Sequence, residues 1–374
     1  MVWDRCTSAG MRLTLTSRVT LLTFAALVAA CLLSLIAATP SAHAAAGLDS
    51  AAVGFTGEGD PGAQGNAESI DPTVSADGRY VTYSSYASNL VAGDTNRTSD
   101  VFLTDTQTRD TYRISVGKQG QQYVQSDASS YDPAISADGK YIAYYSNATN
   151  LVPGDTRGRG DVFLFSTQTG ETKLISRSSD GVLGNSDSGA PTISANGGYV
   201  AYSSWANTLV AGDTNGAMDV FLTNTQTGET RLVSRDSNGF RGDGDSGFAA
   251  VSADGRYVTY ESEAKNLVSG DTNGKSDVFL FNTQTGDTWR ISVGKPQGRY
   301  EQANGMSSSP TINSDGRYIA YYSHANNLVS DDTEGHADVF IFSTQTGDTY
   351  RINLGRQGQE YVQADKGSFS PAIS

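Results

Sequence analysis

The stretch Pro72–Ser85 reads PTVSADGRYVTYSS, and Asp100–Ser115 reads DVFLTDTQTRDTYRIS. Pro72–Ser75 is short and extended, and Ala76-Asp77-Gly78 is a turn whose glycine supplies a positive φ. Arg79–Ser85 is rich in β-branched and aromatic residues, as is Asp100–Thr106. Gln107–Asp110 is a turn, and Thr111–Val116 is a fourth strand. Short strands separated by turn residues, with no long 3.6-residue apolar period, predict an antiparallel sheet without helix.

The same unit returns along the chain. Ser-x-Asp-Gly or a close variant begins at Ser75, Ser136, Ser194, Ser252 and Asn313, with spacings of 61, 58, 58 and 61. A second marker, Asp-Thr, begins at Asp94, Asp155, Asp213, Asp271 and Asp332 and keeps the same spacings. Two markers in step over one long span define a repeat and leave no separate domain or linker. Four antiparallel strands repeated radially make a β-propeller blade. A β-solenoid has a shorter period, and a string of sandwiches has longer domains. The fold class is therefore all-β: a propeller of five complete four-stranded blades plus a split, incomplete sixth. The repeats span about 72–130, 131–190, 191–249, 250–309 and 310–370, with 371–374 starting a further blade.

PTVSADGRYVTYSS followed by DVFLTDTQTRDTYRIS resembles the WD-like repeat of TolB-type propellers of bacterial type, and all five units match from Pro72 to Ile352. The resemblance implies the fold. It is weak on function, because such repeats occur in binding modules and enzymes alike.

The ends frame the missing blade. Ser50–Phe55, SAAVGF, sits where a fourth strand belongs, and Pro371–Ser374, PAIS, where a first strand belongs. The expectation is that the natural protein continues, completes a sixth blade and closes the ring with its N-terminal strand. A catalytic domain further on is the alternative.

Residues 1–44 are set aside as a signal peptide. Arg12 and Arg18 precede an apolar run from Val19 to Ala38, and Ala42-His43-Ala44 is a small-x-small site. Cleavage near Ala44 implies a secreted, extracytoplasmic protein comprising residues 45–374. Met11 would start a more ordinary signal than Met1. An anchor through residues 19–38 is the alternative location, since that run approaches the length of a membrane span. Cys6 and Cys31 both lie inside the signal, so the mature chain has no disulfide, thiol nucleophile or Cys-based metal site. A lipid on Cys31 is disfavoured because apolar residues continue to Ile36.

The whole chain carries −14; residues 1–44 carry +2, so the remainder carries −16. That field opposes nucleic acid and anionic membrane surfaces and is compatible with cation binding. A monomer is expected, with a protein or glycan partner, no nucleic acid, and no membrane insertion after cleavage.

GDTNRTSDVF, Gly93–Phe102, raises a metal question. Asp94, Asn96 and Asp100 are oxygen donors at positions 1, 3 and 7 of a loop. Asp213, Asn215, Asp219 and Asp271, Asn273, Asp277 repeat them. Calcium takes six to eight oxygens, so carbonyls and water would complete each shell. The second copy places Arg157 and Arg159 between Asp155 and Asp161, and the fifth has Glu334 and His336 beside Asp332 and Asp338. Both Asp recur in all five copies while the middle ligand changes. This favours a structural role for the Asp pair, with Ca²⁺ as the candidate cofactor in the first, third and fourth copies. The first Asp is expected in an Asx-turn, and the second on free amides of the loop.

No Gly-x-Ser-x-Gly is present, and outside the signal the only histidines are His324 and His336. No catalytic residue is assigned. Tyr80/Tyr83, Tyr141/Tyr144, Tyr199/Tyr202, Tyr257/Tyr260 and Tyr318/Tyr321 recur on the second strand, face opposite sides, and are expected to pack between blades. Tyr86, Trp205 and Phe240 break the repeat and are better ligand candidates. The sequence reading is a secreted, non-enzymatic binding module for a protein or glycan, with Ca²⁺ as a stabiliser. The alternatives are a propeller enzyme acting on polysaccharide, the propeller part of a serine peptidase, or a purely structural cell-surface module.

Overall fold

The computed structural model describes residues 64–120, 122–155, 158–295, 299–333, 335–357, 360–364 and 366–373. The signal segment, SAAVGF, Arg157 and Glu334 lie outside them. Among the described residues there is no helix, and thus none long and apolar enough to cross a membrane.

Among the described residues five four-stranded antiparallel sheets follow one another, each a meander in chain order. The first comprises Ser69–Val74, Tyr80–Ser85, Asp100–Asp105 and Thr111–Arg113. Its siblings begin at Ser130, Ser188, Ser246 and Ser307. The first strands of successive sheets touch one another and so line the axis, which makes the chain an all-β propeller. The turns Ala76, Ala137, Ala195, Ala253 and Ser314 are linked by backbone hydrogen bonds of 2.9–3.2 Å, each N–H donating to the carbonyl of the next blade's turn.

The core follows from the period-2 pattern of the two middle strands. Phe102, Phe163, Phe221, Phe279 and Phe340 are fully buried. Each stacks on the second tyrosine of its blade, Tyr83, Tyr144, Tyr202, Tyr260 or Tyr321, at 5.8–5.9 Å between centroids. In the first four blades the first tyrosine points the other way and covers the Ser-x-Asp-Gly turn of the next blade, as Tyr80 covers Gly139, whereas Tyr318 of the fifth, also expected to pack between blades, is exposed. That turn is fastened by its own side chains: Ser75 Oγ donates to Asp77 Oδ1 at 2.6 Å, and Arg79 N–H to the same oxygen at 3.0 Å.

Three boundaries differ from the sequence expectation. The first strand starts at Ser69 instead of Pro72, because residues on both sides of a bulge still pair. The bulge residues Asp71, Asp132, Ala190, Phe248 and Ser309 all have φ of 49–52°. The fourth strand stops at Arg113, and Val116–Gln119 instead opens a hairpin with Gln122–Gln125. This hairpin explains the spacings: the 58-residue units replace it with a tighter turn closed by single bridges, Arg177 to Leu183 and Arg235 to Arg241. Finally, 371–373 form no strand. Yet Ser368 N–H reaches Ala337 O at 2.7 Å, as Ser130 N–H reaches Ser99 O at 2.8 Å. Ser370 also takes the bulge conformation, with φ 51°. The segment thus shares two backbone features with the first strands of the blades.

Candidate functional site

Ser69 pairs with Ser85, and Ser85 with Asp100. The start of the first strand, the end of the second and the start of the third thus share one end of the sheet. The acidic loops and the blade crossovers all lie at this end, which forms one face of the propeller.

The Asp loops are built inward. Asp100 is fully buried, and its Oδ1 accepts from Ser115 Oγ at 2.5 Å and Ser126 Oγ at 2.7 Å. Its Oδ2 accepts from Asn96 Nδ2 at 3.0 Å, while Asn96 Oδ1 accepts the Thr98 N–H at 3.1 Å. Asp94 Oδ1 accepts from Gln125 Nε2 at 2.8 Å. The partners of Asp100 are thus side chains, two serines from the crossover and Asn96 of the loop, in place of the loop backbone amides the sequence suggested. The third and fourth copies repeat the pattern: Asn215 Nδ2 to Asp219 at 2.8 Å, and Asn273 Nδ2 to Asp277 at 3.1 Å.

One partner was not read from the sequence. Arg113, at the end of the fourth strand, brings Nη1 to 3.5 Å from Asp94 Oδ1 and 3.8 Å from Asp100 Oδ2. Arg290 stands 3.7 and 3.9 Å from Asp271 and Asp277, and Arg351 3.4 Å from both Asp332 and Asp338. The third blade has Leu232 at this strand position, and its arginine comes from the crossover: Arg241 Nη1 lies 4.0 Å from Asp213 Oδ1. The signal was present in the TYR, TWR and TYR spellings of the longer units, but contact across a loop was needed to give it meaning.

These guanidiniums bear on the calcium question. A divalent cation bridging Asp94 and Asp100 would have to displace Arg113 and turn Asn96 about. Among the described residues no three His, Cys, Asp or Glu side chains converge as a metal-binding group.

Burial of these carboxylates raises their pKa values. Asp94, Asp213 and Asp277 lie above the usual range, chiefly through desolvation. Asp219 is pushed up to about 6 by the same cause, with Ser234 and Asn215 as hydrogen-bond donors pulling the other way.

Around the buried frame the same face carries residues that do not repeat. Tyr86, Trp205 and Phe248 are exposed there, as is Phe369. Phe240 is 70% exposed on the crossover of the third blade. Tyr86 does not stand alone: its hydroxyl meets that of Tyr131 at 2.7 Å, and Tyr131 stacks on Tyr145 at 6.3 Å. On the fifth blade Tyr322 meets both His324 and Phe369 edge to face, with Tyr322 and Phe369 centroids 5.3 Å apart, and His324 is tilted against Phe369. Of these, sequence reasoning singled out Tyr86, Trp205 and Phe240 as ligand candidates. It missed Tyr131 and Tyr145 because a strand tyrosine looks like core.

No protein-family model matches the chain. No curated protein matches it either. Among solved structures it is similar to TolB from Acinetobacter baumannii, at 15% identity and a TM-score of 0.43 over 76% of this chain and 53% of that one. It is also similar to a putative TolB from Agrobacterium tumefaciens, at 13% identity and 0.46 over 76% and 80%. An oligogalacturonate lyase from Vibrio parahaemolyticus matches at 12% and 0.43 over 77% and 66%. The chain spans about half the length of the A. baumannii TolB.

Proposed function

We propose that this TolB-like β-propeller is a secreted, non-enzymatic binding module whose ligand, a protein or a glycan, docks on the face formed by the acidic loops and crossovers. One contrast carries the reading. The buried frame of that face repeats from blade to blade, whereas its rim does not. After the second strand the residue is Tyr86, Asn147, Trp205, Glu263 or His324 in turn. At the second position of the first strand it is Ile70, Tyr131, Gly189, Gly247 or Ser308. Unlike side chains held at fixed places by a common scaffold are what a specific recognition surface requires. Exposed aromatics among them supply contact area at low entropic cost.

The test is a glycan-array screen together with capture of secreted proteins, using the purified protein and its Trp205→Ala and Phe248→Ala variants. Binding to a defined glycan or protein that falls in either variant supports the proposal. Release of unsaturated sugars, reducing ends or peptides from the same ligands would show an enzyme instead. Binding that ignores both substitutions would move the site away from this face.

A further inference from the structure

We propose that Tyr86, Tyr131 and Tyr145 form a stacking platform for an uncharged glycan chain, crossing from the first blade to the second. The inference rests on the reading that this face binds ligand, and it names the ligand class and the residues that meet it.

Tyr131 contacts both other rings, tilted by 58° to Tyr86 and by 25° to Tyr145. Tyr86 and Tyr131 have centroids 6.1 Å apart, and Tyr131 and Tyr145 6.3 Å apart. Two separate hydrogen bonds hold their hydroxyls. Tyr86 and Tyr131 share a hydrogen bond of 2.7 Å, and Tyr145 donates to Asn147 Oδ1 at 2.9 Å. Tyr86 is 45% exposed, so its ring fills no core, and its hydroxyl bonds another tyrosine of the three.

The blade makes room for these rings. Where its siblings have Ser99, Met218, Ser276 and Ala337, the second blade has Gly160. A Cβ at Gly160 would stand 2.2 Å from Tyr145 Cε2. A Cβ at Gly189 would stand 3.2 Å from Tyr145 Cδ2 on the same ring edge. Tyr145 therefore rests one ring edge on two glycines, Gly160 of its own blade and Gly189 of the next. The other complete blades carry Ser84, Ser203, Glu261 and Tyr322 at the Tyr145 position, so the frame does not require a tyrosine there. A ring locked before the ligand arrives loses little freedom on binding.

The chemistry selects the ligand. The exposed ring surface, largest at Tyr86, meets the C–H faces of a pyranose, and the hydroxyls and the Asn147 amide meet its hydroxyl groups. The net charge of −14 opposes a polyanionic glycan. Three neighbouring rings suit an extended chain of similar units better than one deep anchor, which is how protein partners concentrate their binding energy.

Native gels containing soluble xylan, mixed-linkage β-glucan, galactomannan or dextran, with polygalacturonate as the anionic comparison, test the platform. The purified protein should be retarded by at least one neutral polysaccharide and not by polygalacturonate. Tyr131→Ala should weaken that retardation about tenfold or more, a change of about 1.4 kcal/mol. Gly160→Ser should weaken it while all three rings remain, because the added atoms displace Tyr145. Trp289→Ala, an exposed ring on a fourth strand, should leave it unchanged. Thermal melting of each variant separates lost binding from lost folding. Retardation that survives both Tyr131→Ala and Gly160→Ser would overturn the platform but not the binding-module reading. Retardation by no neutral polysaccharide would overturn the glycan class, and protein capture would then judge the module reading by itself.

Discussion

Tyr80 of the first blade lies so close over Gly139 of the second that a Cβ added to the glycine would stand 2.4 Å from Tyr80 Cδ2. The relation recurs as Tyr141 with Gly197, Tyr199 with Gly255 and Tyr257 with Gly316, at 2.1–2.6 Å. The glycine of each turn therefore does two things: it adopts a positive φ, and it gives the neighbouring blade a flat seat. Gly78 separates them, since it has a φ of 72° but no atom within 4 Å of its added Cβ. Gly78→Ala should cost about 1–2 kcal/mol for the left-handed backbone alone. Gly139→Ala should cost a further 1–3 kcal/mol, roughly, for overpacking against Tyr80. Urea unfolding of both variants measures the difference. Equal losses would remove the seat from the account.

Arg113 should be far more costly to remove than an exposed arginine. Its side chain is 8% exposed, and the carboxylates it faces, Asp94 and Asp100, are 4% and 0% exposed. Arg113→Leu leaves two buried acids with less compensation, a loss of about 3–5 kcal/mol. Adding Asp100→Asn should return part of that loss, and a double-mutant cycle should show coupling above about 0.5 kcal/mol. Simple additivity would mean that the guanidinium is not neutralising this pair.

Calcium should act differently on the wild type and on that variant. With Arg113 in place, melting in millimolar Ca²⁺ and in chelator should coincide. In Arg113→Leu the vacated place beside Asp94 and Asp100 should accept the ion, and the midpoint should rise with concentration, as expected for ligand linked to the folded state. A calcium-dependent rise in the wild type would show that the ion displaces the arginine after all.

Asp219 should make the third blade sensitive to pH. Its folded pKa of about 6 lies above the ordinary 3.8, so the folded state holds a proton that the unfolded chain has released. Its contribution is therefore fully present below about pH 4 and is lost as pH rises through about 6. The gap of roughly two units corresponds to about 3 kcal/mol. Asp219→Asn does not titrate, so the stability of wild type relative to this variant should fall between pH 4 and pH 7. A constant difference across that range would place the Asp219 pKa near its unfolded value.

Much of the fold was legible because a blade is a local object. Its strands are consecutive, its turns are spelled by Ser-x-Asp-Gly and Gln-Thr-Gly, and five copies average out the exceptions. The two tyrosines of each second strand were legible too, since a spacing of three residues on a strand must put them on opposite faces. The fourth strand was read too long because Ile114 and Val116 continue its apolar character. The backbone leaves the sheet at Arg113 so that the crossover can reach the Asp loop. The acidic loop was half legible. The recurrence of Asp94 and Asp100 in all units marked them as structural, but their partners, Ser115, Ser126, Gln125 and Arg113, stand up to 31 residues away.

The sequence by itself determined the period, the four-stranded unit, the left-handed turns and the invariant Asp pair, all of which depend on neighbours along the chain. Tertiary structure alone decided what faces those carboxylates and which tyrosines are core. Charge compensation and burial are set by distance in space. A guanidinium thus stands beside the carboxylates of GDTNRTSDVF, and Tyr131 and Tyr145 join Tyr86 in ring contacts that no spacing in the sequence announces.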